Sequence, residues 1–118
     1  MAQQVAPVMC FSADIPAAAT TVTLAVPEGW FVHEVVMNIQ TLLGGADTVL
    51  VGVDNDTDAF LRDADVGTGA QGYYRSSEGG ADRANGFKIA AGRTVVIVRD
   101  ANTSGGGEVY VYASEVVA

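Results

Sequence analysis

Basic residues are scarce in this chain. Six Lys and Arg stand against fourteen Asp and Glu, for a formal net charge of -8 and a pI near 4.2. A nucleic-acid backbone needs a basic face to neutralise it, so nucleic acid is excluded as the expected partner. Cysteine occurs once, as Cys10. That rules out an intrachain disulfide and a Cys-rich metal site. Set between Met9 and Phe11, Cys10 reads as a buried, inert thiol. Histidine also occurs once, as His33. No G-x-S-x-G, H-E-x-x-H, P-loop or Rossmann glycine motif is present. The expectation is a chain that is not an enzyme and carries no cofactor. No apolar run approaches the length that spans a bilayer, so no membrane partner is expected. The start, MAQQVAPVMCF, lacks the basic and apolar regions of a signal peptide, so synthesis in a cytoplasm is expected.

Long helical periodicity is absent too. What is there instead is alternation. With 118 residues, 49% of them hydrophobic and 17% charged, the chain fits one folded domain. A domain of this size buries roughly two thirds of its unfolded surface. TVTLAV, residues 21 to 26, puts Val22, Leu24 and Val26 on one face. PEG at residues 27 to 29 signals a turn. WFVHEVVMNIQ, residues 30 to 40, reads as a long strand with Phe31, His33, Val35, Met37 and Ile39 on its apolar face. His33 is therefore read as a satisfied core or rim histidine. LLGGAD, residues 42 to 47, reads as a hairpin connection into TVLVGV, residues 48 to 53. RTVVIVRD, residues 93 to 100, is apolar on both faces. EVYVYASEVV, residues 108 to 117, sets Val109 and Val111 opposite Tyr110 and Tyr112. Weaker strands are expected at VAPVMCF, GYYRS and GFKIA. Residues 67 to 92 hold seven of the fourteen glycines and read as loops with short strands. The sum is an all-β, single-domain sandwich or jelly-roll-like fold of seven or eight strands. Residues 1–7 read as an N-terminal arm and residues 8–118 as the sandwich.

The stretch VGVDNDTDAFLRDADV, residues 51 to 66, concentrates the acid. Asp54, Asp56 and Asp58 fit the first, third and fifth positions of a calcium-binding EF-hand loop. Ala59 replaces the glycine that permits its sharp turn, and Asp65 replaces the long bidentate Glu. A strand, not a helix, precedes it. The simpler reading is local. Asp56 or Thr57 caps a short helix near residues 57–64, Asp58 favours its first turn, and Phe60 and Leu61 dock it on the core. Asp54, Asp56 and Asp58 stay as weak candidates for a cation.

Trp30, Tyr73, Tyr74, Tyr110 and Tyr112 are the aromatics that suit a recognition surface. Trp30 begins a strand after a turn. Tyr73, Tyr74 and Arg75 stand together in the Gly-rich region. These four, Trp30, Tyr73, Tyr74 and Arg75, are the expected interface residues. The competing reading has one tyrosine of each pair capping a core edge.

The order of pieces is itself informative. PEGWFVHEVVMNIQT is followed by GADTVLVGV, then DNDTDAFLRDADV, an RTVVIV strand and a closing G-x-V-Y-V-Y strand. Over roughly residues 15 to 113 this pattern resembles small tailed-phage structural proteins of the capsid decoration or cement type. The resemblance implies a β-sandwich, often a homotrimer, seated on the outer capsid surface and bridging neighbouring major capsid proteins. It implies a virion location after assembly in the host cytoplasm. It assigns no site residues. Another virion part (head fibre base, tail or baseplate adaptor) and a carbohydrate- or calcium-binding β-sandwich module remain the alternatives.

Overall fold

The computed structural model describes residues 7–16, 20–41, 49–62, 71–81, 86–99 and 105–116. The alternating, β-branched stretches form nine strands among them. These are β1 (Met9–Asp14), β2 (Thr20–Leu24), β3 (Phe31–Thr41), β4 (Val49–Val53), β5 (Asp56–Leu61), β6 (Gly72–Arg75), β7 (Phe87–Lys88), β8 (Val95–Arg99) and β9 (Gly106–Ser114). Every pairing is antiparallel. One sheet has the order β1-β9-β3-β6, with β7 beside the start of β3. The other has the order β2-β8-β4-β5. The fold is a β-sandwich, with more strands than the seven or eight expected. β3 and β4 lie in different sheets and do not pair as the expected hairpin. The LLGGAD segment itself lies outside the described residues, as do residues 1–6 of the expected arm.

Period-two patterning decides what each sheet buries. Val35, Met37 and Ile39 of β3 and Val109, Val111 and Ala113 of β9 face inward. Val49, Val51 and Val53 of β4 and Val95 and Ile97 of β8 meet them from the other sheet. Each Val, Ile or Met among them contributes roughly 1.5–3 kcal/mol on burial. At the end of β8 the same alternation turns Arg99 inward, where it keeps 1% of its surface. Its Nη1 donates to Pro16 O at 2.8 Å and Gly105 O at 2.9 Å. The guanidinium thereby holds the segment leading to β2 and the entry to β9 against the end of β8.

Three sequence expectations are corrected by local backbone geometry. The helix near residues 57–64 is a strand over residues 57–61; residues 63 and 64 lie outside the described residues. Asp54 and Asn55 form the turn of a tight hairpin, with Val53 opposite Asp56. Past the turn, Val51 pairs with Leu61, so two steps along β4 match five along β5. This bulge folds over Gly52, where a Cβ would stand 2.2 Å from Asp56 O. Ala59, Phe60 and Leu61 are all buried, and the bulge is what lets three consecutive residues turn away from water.

The second correction concerns His33. In β3, Val32 pairs with Ala113 and Glu34 with Tyr112, which leaves His33 as an extra, bulged residue. The bulge shifts the parity, so Val32 is buried and His33 is exposed. His33 Nε2 lies 2.6 Å from Ser114 Oγ. The third correction concerns Cys10, which is exposed, not buried. Phe11 faces inward opposite Val111, so its neighbour Cys10 faces out beside Tyr112.

Candidate interaction surface

The outward side chains of the five-stranded sheet fall into three cross-strand rows. Register places Cys10, Tyr112 and Glu34 side by side, then Ser12, Tyr110, Val36 and Arg75, then Asp14, Glu108, Asn38 and Tyr73. Neighbours in such rows stand about 4.5–5.5 Å apart at Cβ. Tyr73 is the most exposed large apolar residue described, at 70%. Tyr112 is exposed and Tyr110 half-buried. Val36 keeps only 9% of its surface although it points outward, lying between Tyr110 and Arg75 in its row.

The backbone beneath this face is braced by a one-turn 3-10 helix, Ser76–Glu78, that follows β6. Ser76 is buried, and its Oγ accepts Val35 N–H at 2.9 Å. Ser77 Oγ donates to the Glu34 carboxylate. Both contacts fall just past the His33 bulge, where the β3 ladder is interrupted. At the far end of β3, Gln71 Nε2 donates to Gln40 O at 2.6 Å. Gln40 Nε2 reaches Glu108 Oε1 at 3.5 Å.

Charge and hydroxyls are coupled across the rows. The hydrogen bond with Glu108 holds the Tyr110 phenol above its ordinary value of 10.0, with desolvation and the Glu108 charge adding to the effect. Desolvation raises Tyr112 first, with Cys10 adding to it, while Arg75 works against them. Both phenols therefore stay neutral at physiological pH. Neutral tyrosines, one arginine and three carboxylates on one sheet face suit contact with another protein surface.

The expected interface residues divide. Tyr73 and Arg75 lie together on this face. Tyr74 points the other way and packs against the core. Trp30 also packs on the core edge, its ring 5.7 Å from Phe11 in an edge-on arrangement. Tyr110 and Tyr112 join Tyr73 and Arg75 through β9, whereas Glu34, Val36 and Glu108 were not singled out from sequence. Cross-strand register, which no local pattern encodes, is what brings them here.

Among the described residues, Asp54, Asp56 and Asp58 do not gather into a cation site. Asp54 sits in the hairpin turn, where its backbone N–H donates to Thr94 O at 3.0 Å. Its carboxylate pairs with Arg93 Nη1 at 3.3 Å and accepts Thr94 N–H at 3.4 Å. Asp56 and Asp58 follow along β5. Among the described residues no three His, Cys, Asp or Glu side chains are placed to hold a metal ion. An open groove of about 490 Å³ lies at the turn before β3, lined by Glu28, Gly29, Lys88, Ile89, Ala90 and Ala91. Glu28 is engaged there, accepting Gly92 N–H at 2.6 Å. Among the described residues, no helix is long and apolar enough to cross a membrane.

The chain matches no protein-family model and no curated protein. Among solved structures it is similar to a chain of the cyanophage Pam1 capsid asymmetric unit, with a TM-score of 0.59 and 19% identity. The likeness covers 98% of this chain and 94% of that one, and at this identity what it shows is a common fold.

Proposed function

We propose that this chain is a phage virion structural protein of the cement type. It binds the outer surface of the capsid and bridges neighbouring major capsid proteins, and it carries no enzymatic activity. The observation that carries the reading is the likeness over nearly the whole of both chains to a component of a cyanophage capsid. The row of Tyr110, Val36 and Arg75, flanked by Tyr73 and Tyr112, supports it by offering an aromatic docking face. Many copies, each making a modest contact, would reinforce a shell by avidity. The homotrimer implied by the sequence resemblance is part of this reading, as is assembly onto heads in the host cytoplasm.

The test is binding of the purified chain to heads that lack it. Expanded heads should retain the chain through sedimentation, and unexpanded proheads should not. Tyr73→Ala and Arg75→Ala should each weaken retention at least tenfold, the effect of losing an anchor worth about 1.4 kcal/mol or more. Failure to bind any head lattice would overturn the proposal.

A further inference from the structure

The five-stranded sheet ends at β1, and among the described residues no strand lies beyond it. Ile15 N donates to Gly107 O at 2.9 Å. This bond extends the β1–β9 ladder, in which Met9 to Asp14 pair without a break with Ala113 to Glu108. In an antiparallel ladder the backbone groups alternate in direction. Met9, Phe11 and Ala13 therefore bond toward β9. The N–H and C=O groups of Cys10, Ser12 and Asp14 aim outward along the edge.

Sheet edges are normally guarded by shortness, bulges, proline or lysine. Two of the other edges show such devices: β5 carries a bulge, and β6 is four residues long and bears Arg75, whereas β2 (TTVTL) shares the regular register of β1 without its exposed apolar neighbours. Strand β1 has six residues, MCFSAD, with regular register and neither proline nor lysine. Apolar surface collects beside it. Val8, Met9, Tyr112 and Val116 are four of the five large apolar residues exposed in the described chain.

We propose that β1 pairs antiparallel with β1 of a second copy, about a two-fold axis at Ser12. In that register Ser12 meets Ser12 and Cys10 meets Asp14, so every outward backbone group on both strands finds its complement. Like faces also align. Phe11 falls opposite Ala13, and the half-exposed Met9 opposite Ile15, so the inner layers of the two sandwiches abut. Charge favours the same register. Asp14 is the only charged residue of β1 and faces neutral Cys10, whereas an axis at Asp14 would oppose two carboxylates. In a three-fold assembly this edge joins one trimer to the next. The contact goes beyond the capsid reading and is tested without any capsid.

The decisive experiment uses the chain with Cys10→Ser and Ser12→Cys. Hydrogen-bonded antiparallel partners have Cα atoms about 5.5 Å apart, inside the roughly 4.4–6.8 Å that a disulfide spans. Mild oxidation should convert most of the protein to a reductant-sensitive covalent dimer. Cys10→Ser with Thr57→Cys, at an exposed site on β5, should stay monomeric on the same gel. Light scattering should give the unmodified chain a mass of an even number of copies, and Ser12→Pro should halve it with the far-ultraviolet spectrum unchanged. If Ser12→Pro does not fold, the cross-link alone decides. A parent mass of one or three copies, or no cross-link above the Thr57→Cys control, overturns the pairing.

Discussion

Gly52→Ala is the substitution that bears most directly on the β4–β5 hairpin. Gly52 lies in β4, paired with Val96 of β8, and the bulge of β5 folds across it. An added Cβ would stand 2.2 Å from Asp56 O, 2.5 Å from Thr57 C and 2.7 Å from Ala59 N. All three are backbone atoms, so no side-chain rotation relieves the clash. Ordinary contact between carbon atoms begins near 3.5 Å, so the bulge must lift by roughly 1 Å. Overpacking of this kind costs about 1–3 kcal/mol, occasionally more. The movement also disturbs Phe60 and Leu61, which the bulge seats in the core. We expect a loss of about 3 kcal/mol, which lowers the melting temperature by roughly 10 °C for a domain of this size. Gly106→Ala is the control, since a Cβ there meets nothing within 4 Å. It should change stability by no more than about 0.5 kcal/mol. Calorimetric melts of the three proteins check the ranking. If Gly52→Ala melts within about 2 °C of the parent, the bulge does not cross Gly52 and the account of this hairpin fails.

Arg99→Met should destabilise by about 3 kcal/mol or more in urea titration, because Pro16 O and Gly105 O lose their buried donor. Ser76→Ala should cost about 1–3 kcal/mol by the same assay, leaving Val35 N–H without its acceptor. Asp54→Asn should cost less than about 1 kcal/mol, since both it and Arg93 are well exposed, and millimolar calcium should leave the melting temperature of the parent unchanged. The fold holds the Tyr110 and Tyr112 protons more tightly than the unfolded chain does. Their contribution is thus complete below about pH 10 and is lost as pH rises through the folded values. Melts run into the alkaline range should show that fall, and Tyr110→Phe should make it shallower.

Alternation made most of the fold legible. Val109 and Val111 opposite Tyr110 and Tyr112 gave the two faces of β9, and Val35, Met37 and Ile39 gave the buried face of β3. Where the reading failed, a backbone irregularity intervened. His33 shares odd parity with Val35, but the extra residue between Val32 and Glu34 turns it outward. The Ala59–Phe60–Leu61 run suits a helix face as well as a bulged strand, and capping residues before it tipped the reading to helix. The structure supplies the missing term, which is Val53 closing on Asp56 immediately after the turn. Cys10 was assigned by its apolar neighbours, although alternation with Phe11 already placed it on the opposite side. The outer face of the five-stranded sheet was legible only in pieces. Tyr73, Arg75, Tyr110 and Tyr112 were visible as residue types, but their meeting depends on β3, β6 and β9 lying side by side.

The two flanks of the sandwich differ in a way that links the edge to the face. On one flank, a Cβ at Gly80 would lie 2.5 Å from Arg62 Nη2, so the Arg62 side chain just past β5 lies against the segment that follows β6. On the other, β1 and β2 end their sheets with regular registers. A chain with net charge -8 resists indiscriminate association of such edges, so a pairing must satisfy both backbone and charge. The Ser12-centred register does so, and it has a geometric consequence. A two-fold axis normal to the sheet keeps both outer faces on the same side. Tyr73, Tyr110, Tyr112 and Arg75 of the two copies then form one continuous surface. Docking through that surface engages two sets of anchors at once, and the second set binds at the high effective concentration fixed by the first. Weakening the edge with Ser12→Pro should therefore lower retention on expanded heads even though Ser12 lies away from Tyr73 and Arg75. If retention is unchanged while the mass halves, edge pairing and docking are independent properties of the fold.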